Sequence, residues 1–227
     1  RRPRREALER EWFVPSGGAR ALGDDWDALE ALLRALSDFL HDGVTLRPAL
    51  SDALDMLADE ADENGTSSAA DLGRFLFEEE RLAGNRDKLR DVRNSDLAWS
   101  ISEGRSDSLG LCLIFMLVAK RLGFEVEGVD FPGHFLCRIF EDGEPVILDC
   151  IDHGRTHLQS DLLTNPDLRR EERSILRTEA GAGQILTVAL LVGNQHQTRH
   201  GSLLISEGRA GRAPNHRRAR ALAARAA

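Results

Sequence analysis

Apolar residues recur at helical spacing through the first part of the chain. Between residues 24 and 41, leucines and aromatic residues return every three or four positions, which predicts an amphipathic helix. A second helix is predicted from Pro48, a good first-turn residue, to the stop at Asn64-Gly65. A third is predicted after Thr66-Ser67-Ser68, whose hydroxyls can cap a helix.

The pattern then changes twice. Residues 82–95 are polar and poorly periodic, which predicts an ordered loop that ends in a Ser95 cap for a helix at 96–103. Residues 108–122 (SLGLCLIFMLVAKRL) are strongly apolar, which predicts a buried helix.

Alternating apolar and polar residues follow this helix. Residues 124–131 predict a strand, and Pro132-Gly133 then turns the chain. Residues 134–140 and 145–150 predict two further strands around Asp142-Gly143, since Asp-Gly is a strong hairpin signal. The order of elements predicts an α+β fold in which a helix packs on a small antiparallel sheet.

The pattern weakens after residue 158. Residues 161–176 predict one or two helices broken at Pro166, residues 193–220 show no sustained period, and 219–227 predict a marginal helix. We therefore predict four parts, namely a basic lead at 1–23, a helical N-terminal subdomain at 24–104, a core at 105–160, and a helical or partly disordered extension at 161–227.

Composition narrows the class of protein. The chain has 227 residues, 41% of them hydrophobic and 30% charged, which is typical of a globular protein. The net charge of −8 disfavours nucleic acid as a partner, although arginines crowd both ends. The longest apolar run, 109–119, is about half the ~20 residues of a membrane span, so no membrane partner is expected. Without a signal-like start and with three cysteines, a cytoplasmic location is expected.

The hairpin indicates candidate chemistry. Pairing about Asp142-Gly143 sets Leu136 opposite Asp149, and His134 then lies on the same face, diagonal to Asp149. A carboxylate that orients an imidazole is half of a nucleophilic triad. The missing nucleophile is expected at the start of a helix packed on that face, where Ser108 stands.

Four stretches carry a resemblance to a known family. The chain resembles the transglutaminase-like superfamily, and within it the SirB-type branch, which is named for an invasion-regulator protein. The resembling stretches are LFEEERLAGN (76–85), RNSDL (93–97), SLGLCLIFMLVAKRLGFEVEGVDFPGHFLCR (108–138) and ILDCIDHG (147–154).

The resemblance implies a papain-like fold and a triad. Counted back from the helix end at Leu122-Gly123, the position that holds Cys in active transglutaminase-like enzymes falls on Ser108, and His134 and Asp149 match the other two. Ser108 departs from the Cys of the active enzymes, and two further differences separate the chain from the branch, namely Ser106 in place of Gly and Cys150-Ile151 in place of Pro-Phe.

These differences shape the functional hypotheses. A serine hydroxyl stays protonated and needs a base, whereas a thiol near His reacts as thiolate. We therefore expect a protein impaired in thiol chemistry that acts as a peptide-binding, protein-binding or regulatory module. The alternative is a hydrolase or acyltransferase on amide bonds that uses Ser108, His134 and Asp149, so whether the protein is an enzyme stays open. No cofactor is expected, and the oligomeric state is left open.

Cysteine and histidine suggest two further possibilities. Cys112 lies one turn after Ser108 and could be the thiol, although its apolar neighbours favour a core position. His134-x-x-Cys137 and Cys150-x-x-His153 have zinc-ligand spacing, with His157 as an extra ligand. Strand alternation opposes this site, because it turns both cysteines away from the face of His134.

Overall fold

The computed structural model describes residues 22–41, 43–85 and 91–197. Most of the predicted basic lead and the predicted helix at 219–227 lie outside these residues. The helices are α1 (Trp26–Leu40), α2 (Leu50–Glu63), α3 (Ala69–Gly73), α4 (Leu97–Glu103), α5 (Ser108–Arg121), α6 (Gln159–Thr164), α7 (Arg170–Ile175) and α8 (Ala182–Gln197). The strands are β1 (Ala83–Gly84), β2 (Arg105–Ser106), β3 (Val126–Phe131), β4 (His134–Glu141), β5 (Glu144–Asp149) and β6 (Arg155–Leu158).

The first three helices lie where the apolar pattern predicts them. The Asp25 carboxylate accepts the backbone N–H of Ala28 and caps α1. The Ser68 hydroxyl accepts the N–H of Asp71 and caps α3, which confirms the serine cap. After α3 the chain continues as a π-helical turn, Arg74–Glu78, which the sequence pattern does not distinguish from an α-helix.

The segment predicted as a loop before α4 contains short regular structure. β1 pairs in parallel with β2, and a 3₁₀ turn covers Val92–Ser95. The predicted Ser95 cap is wrong, because the Asp96 carboxylate accepts the N–H of Trp99. Ser95 and Asp96 are both residue types that cap helices well, but Ser95 is the last residue of the 3₁₀ turn, and Asp96 therefore caps α4.

The antiparallel meander is confirmed and extended. The strand order is β3-β4-β5-β6, with Phe140 opposite Pro145 as the hairpin predicts. Asp142 and Gly143 have φ angles of 51° and 82°, the left-handed conformations that a two-residue hairpin turn requires. The fourth strand, β6, has only four residues, and the sequence pattern does not predict it.

The two faces of the sheet bury different residues. α5 packs on the face that carries Phe135, Cys137 and Leu148, and these join the main hydrophobic core. The opposite face carries Leu136 and Ile147 and forms a smaller cluster with residues of the α6–α7 region. The expectation that α5 packs on the face of Leu136 is therefore wrong, since the apolar side chains of β4 that meet α5 are those at the alternate positions.

The segment after residue 158 is more regular than its sequence pattern suggests. Two helices, α6 and α7, flank Pro166, which confirms the expected alternative of two helices rather than one. α8 was missed, yet Ile185 and Leu186 join the same core cluster as α1, α2, α5 and the sheet. The α+β class is confirmed, and the described helices include none long and apolar enough to cross a membrane.

Candidate functional site

His134 and Asp149 meet at one end of the sheet. His134 begins β4 and Asp149 ends β5. Because these neighbouring strands run antiparallel, both residues lie at the same end of the sheet. Nε2 of His134 lies 2.8 Å from Oδ1 of Asp149, although the oxygen lies off the N–H direction and the contact is not an aligned hydrogen bond. The predicted proximity of these two residues is thus present.

Backbone groups fix the carboxylate in this position. Oδ1 of Asp149 accepts the N–H groups of Ile151 at 3.0 Å and of Asp152 at 3.2 Å, at the turn between β5 and β6. Because Nε2 of His134 faces Asp149, Nδ1 is the ring nitrogen that remains for any other partner.

The two groups shift each other's pKa in opposite directions. Burial lowers the pKa of His134, but the nearby Asp149 carboxylate outweighs burial and raises the pKa above its ordinary value. Burial raises the pKa of Asp149, but His134 and the two backbone N–H groups outweigh it and hold the pKa below its usual range. The charged pair, imidazolium and carboxylate, is therefore favoured.

Ser108 is the first residue of α5, and it is half-buried. The cap of this helix is Asp107, whose carboxylate accepts the N–H of Gly110 at 2.9 Å. Among the hydrogen bonds of the described residues, none joins Ser108 to His134. The first turns of α5 are nevertheless close to β4, because Sγ of Cys112 lies 3.4 Å from the carbonyl oxygen of Phe135.

The three cysteines of the chain meet in the core, where α5 packs on the sheet. Cys112, Cys137 and Cys150 are free thiols, each at most 1% exposed. Burial raises the pKa of Cys112 and Cys150 well above the ordinary value. Burial also raises the pKa of Cys137, but hydrogen bonding to the other two thiols outweighs it and lowers the pKa to about 6. The core position favoured for Cys112 is confirmed.

The zinc set suggested by sequence spacing is wrong. In the part of the chain described, the group of metal-ligand type that forms contains Cys112 with Cys137 and Cys150, and it excludes His134, His153 and His157. The strand alternation that opposed the four-residue set is the reason, because the cysteines face α5 while His134 faces Asp149.

Other polar residues near the site serve the fold. Nε of Arg138 lies 2.6 Å from Oε2 of Glu127, and its Nη1 donates to the carbonyl of Leu176, so this buried guanidinium is paired within the fold. Nδ2 of Asn85 donates to Oδ1 of Asn94 at 3.0 Å in a buried contact.

A buried polar network that the sequence pattern does not predict lies before α5. The hydroxyl of Ser106 contacts the Ser100 hydroxyl at 3.1 Å and the Asn94 carbonyl at 3.2 Å. This network joins the 3₁₀ turn and α4 to the residues that begin α5, and so it positions Ser108.

Two surface depressions lie away from these residues. Their volumes are about 400 and 570 Å³, and both are lined by Asp55 and Arg121 at the far end of α5. Neither includes Ser108, His134 or Asp149.

Comparison with protein families assigns the class. The family model described as transglutaminase-like superfamily matches residues 46–170, which include α5, the whole sheet and the residues Ser108, His134 and Asp149. Because this match covers more than half of the chain, the chain belongs to the transglutaminase-like superfamily.

Individual relatives match shorter stretches. A UPF0162 protein of Xylella fastidiosa strain Temecula1 is 35% identical over 111 residues, which cover 49% of this chain and 37% of the relative. A UPF0162 protein of strain 9a5c is 37% identical over 86 residues, which cover 38% of this chain and 31% of the relative. F-box only protein 21 of Mus musculus is 28% identical over 82 residues, covering 36% and 13%.

The chain thus spans about a third of the length of the first two relatives. No solved structure matches it significantly.

Proposed function

We propose that this protein is a SirB-type transglutaminase-like protein that binds a peptide or protein segment at the site of Ser108, His134 and Asp149 and acts as a regulatory module without thiol chemistry. One observation carries the proposal. The helix-start position that holds the family nucleophile has a serine, while the thiols of the chain are buried in the core beneath α5.

The state of His134 also favours binding over acyl transfer. A general base must be neutral and within hydrogen-bond reach of the group that it deprotonates. No hydrogen bond joins His134 to Ser108 among the described residues, and the nearby Asp149 carboxylate raises the pKa of His134 above its ordinary value. The ring of His134 and the half-buried hydroxyl of Ser108 instead offer hydrogen bonds to a peptide carbonyl.

An extended peptide is the ligand class that the neighbouring sheet favours. In the described part of the chain, β6 is the last strand of the sheet, and its first residue, Arg155, pairs with Asp149. Leu158 on this strand is 49% exposed. A sheet edge can accept a further strand through main-chain hydrogen bonds, and a peptide added beside β6 would lie two strand spacings, about 10 Å, from Asp149.

Selection from a random peptide library on the immobilised protein tests the proposal. Peptides enriched on the unmodified chain are expected to lose binding to Ser108→Arg, which places a large side chain at the site. They are expected to keep binding to Met56→Ala, a change at an exposed position of α2. Mass spectrometry is expected to recover the bound peptides intact.

Three results would oppose this function. The proposed peptide-binding site would be contradicted if no peptide were enriched, or if the enriched peptides bound Ser108→Arg as well as they bind the unmodified chain. Cleavage or acyl transfer of the bound peptide would favour the enzyme instead.

A serine acyl-transfer enzyme is the second candidate. Asp107 rather than Ser108 caps α5, so the Ser108 hydroxyl is not needed to satisfy the helix start. Under this alternative, Nδ1 of His134 takes the Ser108 proton and Asp149 orients the ring.

Replacement of the serine by the family residue separates the two candidates. If the site is built for catalysis, the new thiol of Ser108→Cys reacts with iodoacetamide faster than Cys112, and His134→Ala slows that reaction. A binding module gives slow labelling that does not depend on His134.

A further inference from the structure

Three sulfur atoms lie within bonding distance of a common point in the main core. Sγ of Cys150 lies 3.4 Å from Sγ of Cys112 and 3.9 Å from Sγ of Cys137, and all three lie within 4.8 Å of one another. They come from three separate elements, α5, β4 and the turn after β5, so the fold rather than local sequence brings them together.

These separations are close to those of thiolates around one metal ion. With metal–sulfur bonds of about 2.3 Å and angles between the tetrahedral and trigonal values, bound sulfurs lie roughly 3.8–4.0 Å apart. Two of the observed separations, 3.4 and 3.9 Å, lie within about half an ångström of this range, and the third, between Cys112 and Cys137, is at most 4.8 Å. Binding would displace two weak thiol hydrogen bonds, from Sγ of Cys112 to the carbonyl of Phe135 and from Sγ of Cys137 to the carbonyl of Cys112.

The number and softness of the ligands distinguish among metals. Thiolates select soft ions such as Cu(I) and Zn(II), and protein zinc sites are almost always four-coordinate. In the described residues, no His, Asp or Glu joins the three cysteines as a fourth ligand. All three side chains are at most 1% exposed, which leaves little access for water as a ligand.

We propose that Cys112, Cys137 and Cys150 form a three-coordinate binding site for a monovalent copper ion. Copper stays Cu(I) throughout, and the thiol protons that it displaces pass to solvent. This site does not depend on the proposed peptide binding.

Anaerobic titration of the full, reduced chain with Cu(I) alone tests the site. A chromophoric Cu(I) chelator is the competitor, and the metal is added both to the folded chain and during refolding, because the thiols are buried. We expect one Cu(I) per chain, a thiolate-to-copper charge-transfer band in the ultraviolet, and three sulfur neighbours in X-ray absorption.

Each single variant, Cys112→Ala, Cys137→Ala and Cys150→Ala, is expected to weaken binding by more than the roughly 10- to 100-fold that loss of an outer-shell partner costs. Val118→Ala, a fully buried truncation on α5, controls for damage to the core, and His153→Asn controls for the rejected zinc set. Both controls are expected to bind as the unmodified chain does.

The proposal is overturned if Cu(I) binds under neither condition, or if binding survives in the alanine variants while circular dichroism shows them folded. A four-coordinate Zn(II) site that outcompetes Cu(I) would overturn it as well. Variants that do not fold leave the sulfur count from X-ray absorption of the unmodified chain as the deciding result.

Discussion

The carboxylate of Asp107 accepts the backbone N–H of Gly110 at 2.9 Å, and this contact caps the helix that presents Ser108. The sequence run Ser106-Asp107-Ser108 offers three residues able to cap, and the structure separates their roles. Ser106 lies in a buried network, Asp107 caps, and Ser108 occupies the first helical position. The position of Ser108, the residue proposed to stand at the family's nucleophile position, is thus set by its neighbours.

This separation predicts unequal effects on stability. Asp107→Ala removes the cap and is expected to lower the free energy of unfolding by about 1 kcal/mol, within a range of about 0.5–2. Ser108→Ala removes no cap and is expected to change it by less than about 0.5 kcal/mol. Urea unfolding of both variants measures the difference, and a larger loss for Ser108→Ala would contradict the assignment of the cap.

The ion pair of His134 and Asp149 predicts a pH-dependent contribution to stability. Asp149→Asn keeps an acceptor for the N–H groups of Ile151 and Asp152 but removes the charge. It is expected to lower the free energy of unfolding by about 1–3 kcal/mol where both partners are charged. The pKa of His134, followed by NMR, is expected to fall.

The pH range in which the ion pair stabilises the fold follows from the raised pKa of His134 and the lowered pKa of Asp149. The contribution of His134, whose pKa is raised, is complete below about 6.5 and is lost as pH rises through the raised value. The contribution of Asp149, whose pKa is lowered, is complete above about 3.8 and is lost as pH falls through the lowered value.

The free energy of unfolding of Asp149→Asn is therefore expected to fall furthest below that of the unmodified chain between about pH 4 and 6.5. Asp142→Asn, at a left-handed turn position on the same sheet, is the matched control. A pH-independent difference between Asp149→Asn and the unmodified chain would contradict the ion pair.

A close contact in α5 predicts an unusual effect of alanine. Gly→Ala in a helix normally stabilises by about 1 kcal/mol. A Cβ at Gly110, however, would lie 2.1 Å from the hydroxyl of Ser106 and 3.1 Å from the Asn94 carbonyl. Gly110→Ala is therefore expected to lower the free energy of unfolding by about 1–3 kcal/mol through overpacking.

The double variant Ser106→Gly/Gly110→Ala tests the cause. It removes the nearest contact and is expected to recover part of the loss in a double-mutant cycle. Additive losses would show that the hydroxyl of Ser106 is not the limiting contact.

Local patterns predicted the elements that local chemistry determines. The apolar run of α5 and the Asp142-Gly143 turn fix a helix and a hairpin register, and that register places His134 near Asp149. The same alternation correctly set Cys137 and Cys150 on the face away from His134.

Features that depend on tertiary contacts were not predictable from the sequence. β1 and β2 have two residues each and exist through pairing with each other. α8 has a weak period, and its inner residues are defined by the core that they join. The meeting of Cys112 with the two strand cysteines depends on which face of the sheet α5 covers, and neither element specifies that face alone.

Labelling of the folded protein with electrophilic probes tests the central claim most directly. A fluorophosphonate reports a live serine nucleophile, and iodoacetamide reports accessible thiols. Peptide mapping with Ser108→Ala and His134→Ala assigns any modified residue. The account predicts that neither Ser108 nor a cysteine is labelled in the folded chain, whereas all three cysteines react after unfolding in urea. Modification of Ser108 that disappears in His134→Ala would contradict the binding module and establish a serine enzyme.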